Sequence, residues 1–176
     1  IRETIEADHE GLFLNQLDAF IVKVSRFGFF FASMDIRQDS RKNQLAWDEL
    51  LRINKVKHVD SLSEEQKIKL ILKTKIDLRK ANVKDPFVRE LIDSVFSIEK
   101  IQNQNGTQGC HRYVISNCGS ARDVINVFQL ARLAIGTKQG LALDIVPLFE
   151  TIDDLKHAGE VMETLYAIPE YQKHLQ

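Results

Sequence analysis

The chain has 176 residues, of which 44% are hydrophobic, and this is enough apolar material for one folded domain with a core. Its 24 basic and 25 acidic residues nearly cancel, so no overall charge draws it to nucleic acid or to an anionic membrane, and no apolar run approaches the roughly 20 residues that span a bilayer. We therefore expect a cytoplasmic protein in which Cys110 and Cys118 are reduced thiols.

The first part of the chain predicts one long helix followed by a buried strand. Apolar residues recur at three- and four-residue steps from Ile5 to Ser25, which is typical of an amphipathic helix. The apolar run from Phe29 to Met34 is too short for a core helix and is rich in aromatic residues, so it predicts a strand. Asp35 and Arg37 would then lie just beyond the carboxyl end of that strand.

Three helices are predicted between the first strand and the second. The first covers Gln44 to Val56, the second begins at the capping box Ser63-Glu64-Glu65-Gln66, and the third begins at Asp85-Pro86, where proline suits the first helical position. The polar segment from Asn103 to Gly109 predicts a loop. The connection between the two strands is roughly 75 residues long, far more than a parallel crossover requires.

The last part of the chain predicts two strands that alternate with two helices. The strands are Arg112 to Asn117 and Leu141 to Phe149, and the helices begin at Gly119-Ser120 and at Thr151, which has Asp154 as its capping-box partner. This order favours an α/β fold with parallel strands. We expect residues 1–176 to be a single helix-rich piece of a TIM-type α/β barrel with large helical insertions, or else a mostly helical unit with few strands.

Polar residues at the carboxyl ends of parallel strands meet in one crevice, and this rule selects Asp35 to Gln38, Ser116-Asn117 and Glu150. The guanidinium of Arg37 offers forked donors to a phosphate or a carboxylate; the alternative is a structural salt bridge to Asp35 or Glu150. The Glu150 carboxylate suits a magnesium ion; the alternative is an acid that only favours the dipole of the following helix.

The amino-acid sequence around these residues resembles that of bacterial members of the phosphoenolpyruvate carboxylase family. The run Met34-Asp35-Ile36-Arg37-Gln38-Asp39-Ser40 is similar to Leu-Asp-Ile-Arg-Gln-Glu-Ser of that family. The run Val146-Pro147-Leu148-Phe149-Glu150-Thr151-Ile152-Asp153-Asp154-Leu155 resembles its Pro-Leu-Phe-Glu-Thr-Leu-Asp-Asp-Leu segment. Further similarity around Tyr113 to Val124 means that the resemblance covers most of the chain.

The resemblance implies an enzyme that joins phosphoenolpyruvate to bicarbonate, with Mg²⁺ or Mn²⁺, and releases oxaloacetate and phosphate as a cytoplasmic homotetramer. Bicarbonate would attack the phosphate to give carboxyphosphate and the enolate of pyruvate, to which carbon dioxide then adds. By the same resemblance, Arg37 is the catalytic, substrate-binding arginine at the phosphate, and Glu150 is a metal ligand.

Some features depart from the family pattern or leave it incomplete. Asp39 stands where the family usually has Glu, and Asn43 stands where it commonly has His. The resemblance also implies a second metal ligand in a Gly-Tyr-Ser-Asp-Ser segment beyond Gln176. Since the chain also opens at Ile1, we expect an internal piece whose partners include the remainder of its parent chain and which is inactive alone. Two alternatives stay open: another metal-dependent α/β-barrel enzyme acting on a phosphorylated acid, and a non-catalytic interaction module.

Overall fold

The computed structural model describes residues 1–28 and 32–176, which form eight α-helices and three β-strands. The helices are α1 (Arg2–Asp8), α2 (Leu14–Phe27), α3 (Ser40–Ile53), α4 (Glu64–Lys73), α5 (Pro86–Asn105), α6 (Ala121–Ile135), α7 (Ile152–Tyr166) and α8 (Pro169–His174). The strands are β1 (Asp35–Asp39), β2 (Arg112–Ser116) and β3 (Asp144–Pro147). Within these described ranges, no helix combines the length and the apolar character needed to cross a membrane.

The three strands form one parallel sheet in the order β1-β2-β3. Helices α3, α4 and α5 lie in the long connection between β1 and β2, and α6 connects β2 to β3. The prediction of a helix-rich α/β fold with parallel strands is therefore confirmed. A closed α/β barrel contains eight strands and the described residues form a sheet of three, so the TIM-type barrel stays a prediction.

The position of β1 differs from the prediction. Phe29 to Phe31 lie outside the described residues, Ala32 to Met34 are not in a strand, and β1 begins at Asp35. Asp35 pairs with Arg112 at the start of β2, and the pairing continues to Asp39 opposite Ser116. One face of this sheet is open, so β1 needs apolar side chains only on its covered face. A continuous apolar run is therefore not required, and the pairing with β2 determines which residues form the strand.

Other predicted boundaries also move. The helix expected from Ile5 to Ser25 is broken into α1 and α2 by left-handed backbone at Gly11 and Phe13, where φ is 72° and 61°. Helix α5 continues to Asn105, into the segment predicted as a loop, and its Gln102 side chain donates to the carbonyls of Cys110 and Ala142. The third strand is shorter than predicted, since β3 is limited to the residues that pair with β2.

The helix starts predicted from capping residues are confirmed, whereas the helix predicted over Gln44 to Val56 is α3, which begins at Ser40 and ends at Ile53. Ser63 and Thr151 each form a complete capping box, in which the side chain of the capping residue and that of the third helical residue satisfy each other's backbone N–H groups. Asp85 accepts hydrogen bonds from two N–H groups of the first turn of α5, and proline follows it. Local side-chain chemistry thus decides where these helices begin.

Helix α6 is the centre of the core. Eleven of its 15 residues are buried, and it packs against α3, α4, α5, α7 and β3. The Trp47 indole of α3 is also buried and donates a hydrogen bond of 2.7 Å to the carbonyl of Asn126 in α6. A helix that is buried on nearly all sides must be covered by several elements, so α6 organises the helices around the sheet.

The sheet has one covered face and one open face. Tyr113, Ile115 and Ile145 are buried on the face toward the helices, and Ile36 packs against the same core. The alternate residues of the strands are exposed or half-buried on the opposite face, namely Asp35, Arg37, Arg112, Val114, Asp144 and Val146. Parallel sheets are ordinarily covered on both faces, so the described residues leave open the face that carries Arg37.

Candidate functional site

The carboxyl ends of the strands converge at one edge of the sheet. Main-chain hydrogen bonds continue beyond the last register pair of β2 and β3: the N–H of Leu148 donates to the carbonyl of Ile115 (2.9 Å), and the N–H of Cys118 donates to the carbonyl of Leu148 (3.3 Å). This extension brings Glu150, in the connection from β3 to α7, beside Asn117, which directly follows β2. Two of the three segments selected from the sequence therefore meet here.

Asn117 joins these segments to the end of β1. Its side-chain amide donates to Asp39 Oδ2 (2.9 Å), and its main-chain N–H donates to Glu150 Oε2 (3.2 Å). Its carbonyl accepts a hydrogen bond of 2.6 Å from the Ser40 hydroxyl at the start of α3. Asn117, which directly follows β2, thus contacts the end of β1, the start of α3 and the connection from β3 to α7.

Asp39 ends β1 and caps helix α3. Its carboxylate accepts hydrogen bonds from the main-chain N–H of Arg41 (2.9 Å) and from two nitrogens of the Arg41 guanidinium (2.9 and 2.7 Å). These bonds, with the one from Asn117, lower the pKa of the Asp39 carboxyl well below that of an ordinary aspartate. The Asp39 carboxylate is therefore ionised, and each of its oxygens accepts two hydrogen bonds at this edge of the sheet.

Arg37 is the middle residue of β1 and lies on the open face of the sheet, opposite Val114 of β2. The expected position just beyond the strand end is therefore wrong. The alternative of a structural salt bridge is not found in the described part of the chain: Asp35 approaches Arg112 (3.9 Å), and Glu150 accepts from Asn117. The exposed guanidinium of Arg37 makes no ion pair or hydrogen bond with any described residue, so its donors are open to a ligand.

Glu150 is exposed and directly precedes Thr151, the capping residue of α7. The first turn of α7 is served by other groups, since Thr151 Oγ1 accepts from the N–H of Asp154 (3.0 Å) and Asp154 Oδ2 accepts from the N–H of Thr151 (2.9 Å). The Glu150 carboxylate instead approaches the end of β2, where it accepts from Asn117. The Glu150 side chain is therefore positioned by its hydrogen bond to Asn117 at the edge of the sheet and not by the first turn of α7.

The described residues do not make a metal site by themselves. Residues 1–28 and 32–176 contain no group of three or more His, Cys, Asp or Glu side chains placed to hold one ion. Magnesium is commonly held in proteins by one or two carboxylates together with substrate phosphate and water, so Glu150 could supply at most part of such a site.

Two further features of the fold are candidates for a functional role: the two cysteines and a groove between helices. Both cysteines are free and buried, and burial raises the pKa of the Cys118 thiol to about 12, which leaves it a poor nucleophile. A groove of about 870 Å³ lies between α4, α7 and the start of α6. The residues that line this groove include neither Arg37 nor Glu150, so it is separate from the strand-end site.

The sequence indicated Asn117 as a strand-end residue but did not reveal that it bridges two carboxylates. Asn follows a β-branched and aromatic strand and precedes a helix cap, and it is a residue that tolerates left-handed backbone, so a sharp turn could have been inferred. Arg41 was not selected, because only the structure brings its guanidinium back onto Asp39. The Arg41 contact spans only two residues, whereas the contacts of Asn117 with Glu150 and Asp39 span 33 and 78 residues and have no spacing that a motif would reveal.

The family model described as phosphoenolpyruvate carboxylase matches residues 1–176. A curated phosphoenolpyruvate carboxylase of Prochlorococcus marinus strain MIT 9215 is 38% identical over 173 residues, which cover 94% of this chain and 18% of that protein. Those of Synechococcus sp. strain WH7803 and Gloeobacter violaceus are 35% and 32% identical over 167 and 176 residues, covering 90% and 94% of this chain. The chain spans 17 to 18% of the length of these curated relatives.

Proposed function

The chain belongs to the phosphoenolpyruvate carboxylase family, and we propose that it forms part of an enzyme that joins phosphoenolpyruvate to bicarbonate, giving oxaloacetate and phosphate. The observation that carries the proposal is the open guanidinium of Arg37 on the uncovered face of a parallel sheet whose carboxyl edge also holds Glu150. Glu150 lies at the end of the strands where α/β enzymes build their active sites, and Arg37 lies two residues before the end of β1.

In this proposal, Arg37 binds the phosphate of phosphoenolpyruvate. The forked donors of a guanidinium match phosphate oxygens, and their charge would become more useful as negative charge develops during phosphoryl transfer. The support is that Arg37 is exposed and that neither Asp35 nor Glu150 occupies its donors. A strand residue also holds its backbone more rigidly than a loop residue would, which favours precise placement of the phosphate.

Glu150 would supply one oxygen ligand to Mg²⁺ or Mn²⁺. Its Oε2 accepts the N–H of Asn117, and in the described structure its Oε1 accepts no hydrogen bond, so one carboxylate oxygen is available. Such a metal, when bound, supplies Lewis-acid stabilisation of a developing enolate oxygen. The remaining ligands would come from residues outside this chain, in keeping with the small share of the relatives that it covers.

The oligomeric state and the cellular location of the active protein are proposed from the family resemblance. We propose that the active protein is a cytoplasmic homotetramer in which this segment packs against further parts of the same polypeptide. Multi-angle light scattering on the complete polypeptide measures this directly, and a mass equal to one subunit contradicts the tetramer.

The site is tested in the complete polypeptide that carries residues 1–176, with oxaloacetate followed by a malate dehydrogenase coupled assay. Substitutions Arg37→Ala and Glu150→Gln should each lower kcat/KM by about 100-fold or more, since each removes a charged group proposed to act on the reacting atoms. Arg37→Lys should recover only part of the loss, because an ammonium lacks the forked donors of a guanidinium.

The matched controls are Arg52→Gln and Glu49→Gln, which remove an arginine and a glutamate that pair with each other on α3 (2.7 Å). Both controls should keep wild-type turnover. Folded Arg37→Ala and Glu150→Gln proteins with normal turnover would contradict the proposed site. A complete polypeptide that makes no oxaloacetate but acts on another phosphorylated acid would support a different metal-dependent enzyme, and one without turnover would support an interaction module.

The isolated chain should make no oxaloacetate in the same coupled assay. The reason is that the described residues offer one candidate metal ligand and one candidate phosphate ligand, without the further groups that complete a site. Measurable, metal-dependent oxaloacetate formation by residues 1–176 alone would show that the catalytic groups all lie within this segment.

A further inference from the structure

Asn117 connects segments that are far apart in the sequence. Its three hydrogen-bond partners, Asp39, Ser40 and Glu150, lie 78, 77 and 33 residues away along the chain. We propose that Asn117 is a positioning residue, which holds the carboxylates of Asp39 and Glu150 in fixed places at the carboxyl edge of the sheet. The inference rests on the proposed function, because it takes Glu150 to act in the carboxylase site.

The backbone of Asn117 supports this role. Its φ is 51°, a left-handed conformation that residues with a Cβ atom rarely adopt and that asparagine tolerates better than most. The conformation turns the chain out of β2, and the N–H of Asn117 donates to Glu150 Oε2 instead of continuing the strand ladder. Such backbone is retained where the surrounding contacts require it, and the contacts of Asn117 are those with the carboxylates of Asp39 and Glu150 and with the Ser40 hydroxyl.

The side chain of Asn117 supports the role independently. Asn117 is exposed, so packing in the core does not explain which residue stands there. Its neutral amide donates to Asp39 while its N–H donates to Glu150, and in this way one residue satisfies two carboxylates without adding charge. An aspartate of the same shape would replace the donor by an acceptor and place a third negative charge between them.

The first test compares Asn117→Gly with Asn117→Ala in the complete polypeptide. Both variants lack the amide, but glycine adopts left-handed backbone freely and alanine does not, so only glycine should keep the N–H directed at Glu150. We expect kcat of the alanine variant to be about fivefold below that of the glycine variant at equal folded fraction, with KM for phosphoenolpyruvate within about twofold. Equal kcat values in the two folded variants would overturn the role of the backbone.

A readout without turnover accompanies this test. Hydrogen–deuterium exchange resolved at the amide of residue 117 should be about tenfold or more faster in Glu150→Ala than in wild type, since the acceptor is removed. Unchanged exchange would mean that the N–H of Asn117 is not held by Glu150, and this too overturns the inference.

The second test exchanges the donor and the acceptor. Asn117→Asp should lower kcat about tenfold or more, and the double variant Asn117→Asp with Asp39→Asn should recover much of that loss, since the amide and the carboxylate are restored in reversed order. A folded Asn117→Asp enzyme with wild-type kcat overturns the inference, and so does a double variant no better than the single one. Should Asn117→Asp not fold, the glycine and alanine pair decides.

These results separate the inference from the proposed function. Inactive Arg37→Ala and Glu150→Gln enzymes beside a normal Asn117→Asp enzyme leave the proposed function standing and refute the role of Asn117. Normal turnover in Arg37→Ala and Glu150→Gln refutes the proposed function, and the role of Asn117 in that site is refuted with it.

Discussion

Helices α2 and α6 have similar lengths and similar apolar content, yet their environments are opposite. No residue of α2 is buried, although all of its 14 residues are described, whereas eleven of the 15 residues of α6 are buried. Phe20 of α2 is 61% exposed and Phe128 of α6 is 2% exposed. The comparison shows that hydrophobic periodicity identifies a helix and its apolar side, but not what covers that side.

The difference arises from what each helix packs against. Helix α6 is enclosed by the sheet and by helices on several sides, so its apolar side chains are removed from water. Helix α2 packs on α1, and the ion pair between Arg2 and Asp18 (2.8 Å) that links them is about half exposed. Exposed ion pairs stabilise little, so we expect the free energy of unfolding to come from residues 35–176, which hold the sheet and the core. The following predictions test this division.

The largest effect is expected for Phe128→Ala. The ring lies within the core, with the ring of Tyr171 edge-on at 5.5 Å and the guanidinium of Arg132 at 5.2 Å from its centroid. Removing it leaves a cavity and should lower the free energy of unfolding by about 3–5 kcal/mol, measured by urea denaturation of the chain. A loss below about 1 kcal/mol would contradict the placement of α6 at the centre of the core.

A smaller effect is expected for Tyr113→Phe. The buried hydroxyl of Tyr113 donates to Asn43 Oδ1 (2.8 Å), and both residues are fully buried between β2 and α3. Removing the donor leaves the Asn43 oxygen without this partner, which should lower the free energy of unfolding by about 1–3 kcal/mol. The matched control is Tyr166→Phe, half exposed on α7, which should change it by less than about 0.5 kcal/mol.

The strand-end site should contribute through the ionised Asp39. Because its pKa is lowered in the folded protein, the unfolded chain binds more protons in the acid range, and folded stability rises with pH there. Wild type should therefore exceed Asp39→Asn in melting temperature near pH 7 and lose this advantage as the pH falls below the ordinary aspartate value of about 3.9. A difference that stays constant from neutral to acid pH would contradict this origin.

The smallest effect is expected for Phe20→Ala, which pairs with Phe128→Ala as the same substitution on the exposed helix. Its side chain is already in water, so the free energy of unfolding of the chain should change by less than about 0.5 kcal/mol. A loss of about 2 kcal/mol or more would show that the apolar side of α2 is covered in solution and that the contrast between α2 and α6 does not hold.

The accuracy of the sequence-based predictions differed between these regions for a physical reason. The caps at Ser63, Asp85 and Thr151 were predicted because each depends on groups two or three residues away. The start of β1 was not, since it depends on pairing with residues more than 70 positions later. The break between α1 and α2 was also missed, because helical periodicity alone does not detect the left-handed residues that interrupt it.

For the candidate site, the sequence by itself determined the residue types and their order: an arginine and an aspartate around one strand, an asparagine after the next, and a glutamate before a helix cap. These follow from local patterns and from motifs that resemble one family. Only the tertiary structure decided that Arg37 lies within β1 with its donors open, and that Asn117 joins Asp39 to Glu150. Those contacts depend on the parallel register of the three strands, and that register is determined by side chains that lie far apart in the sequence.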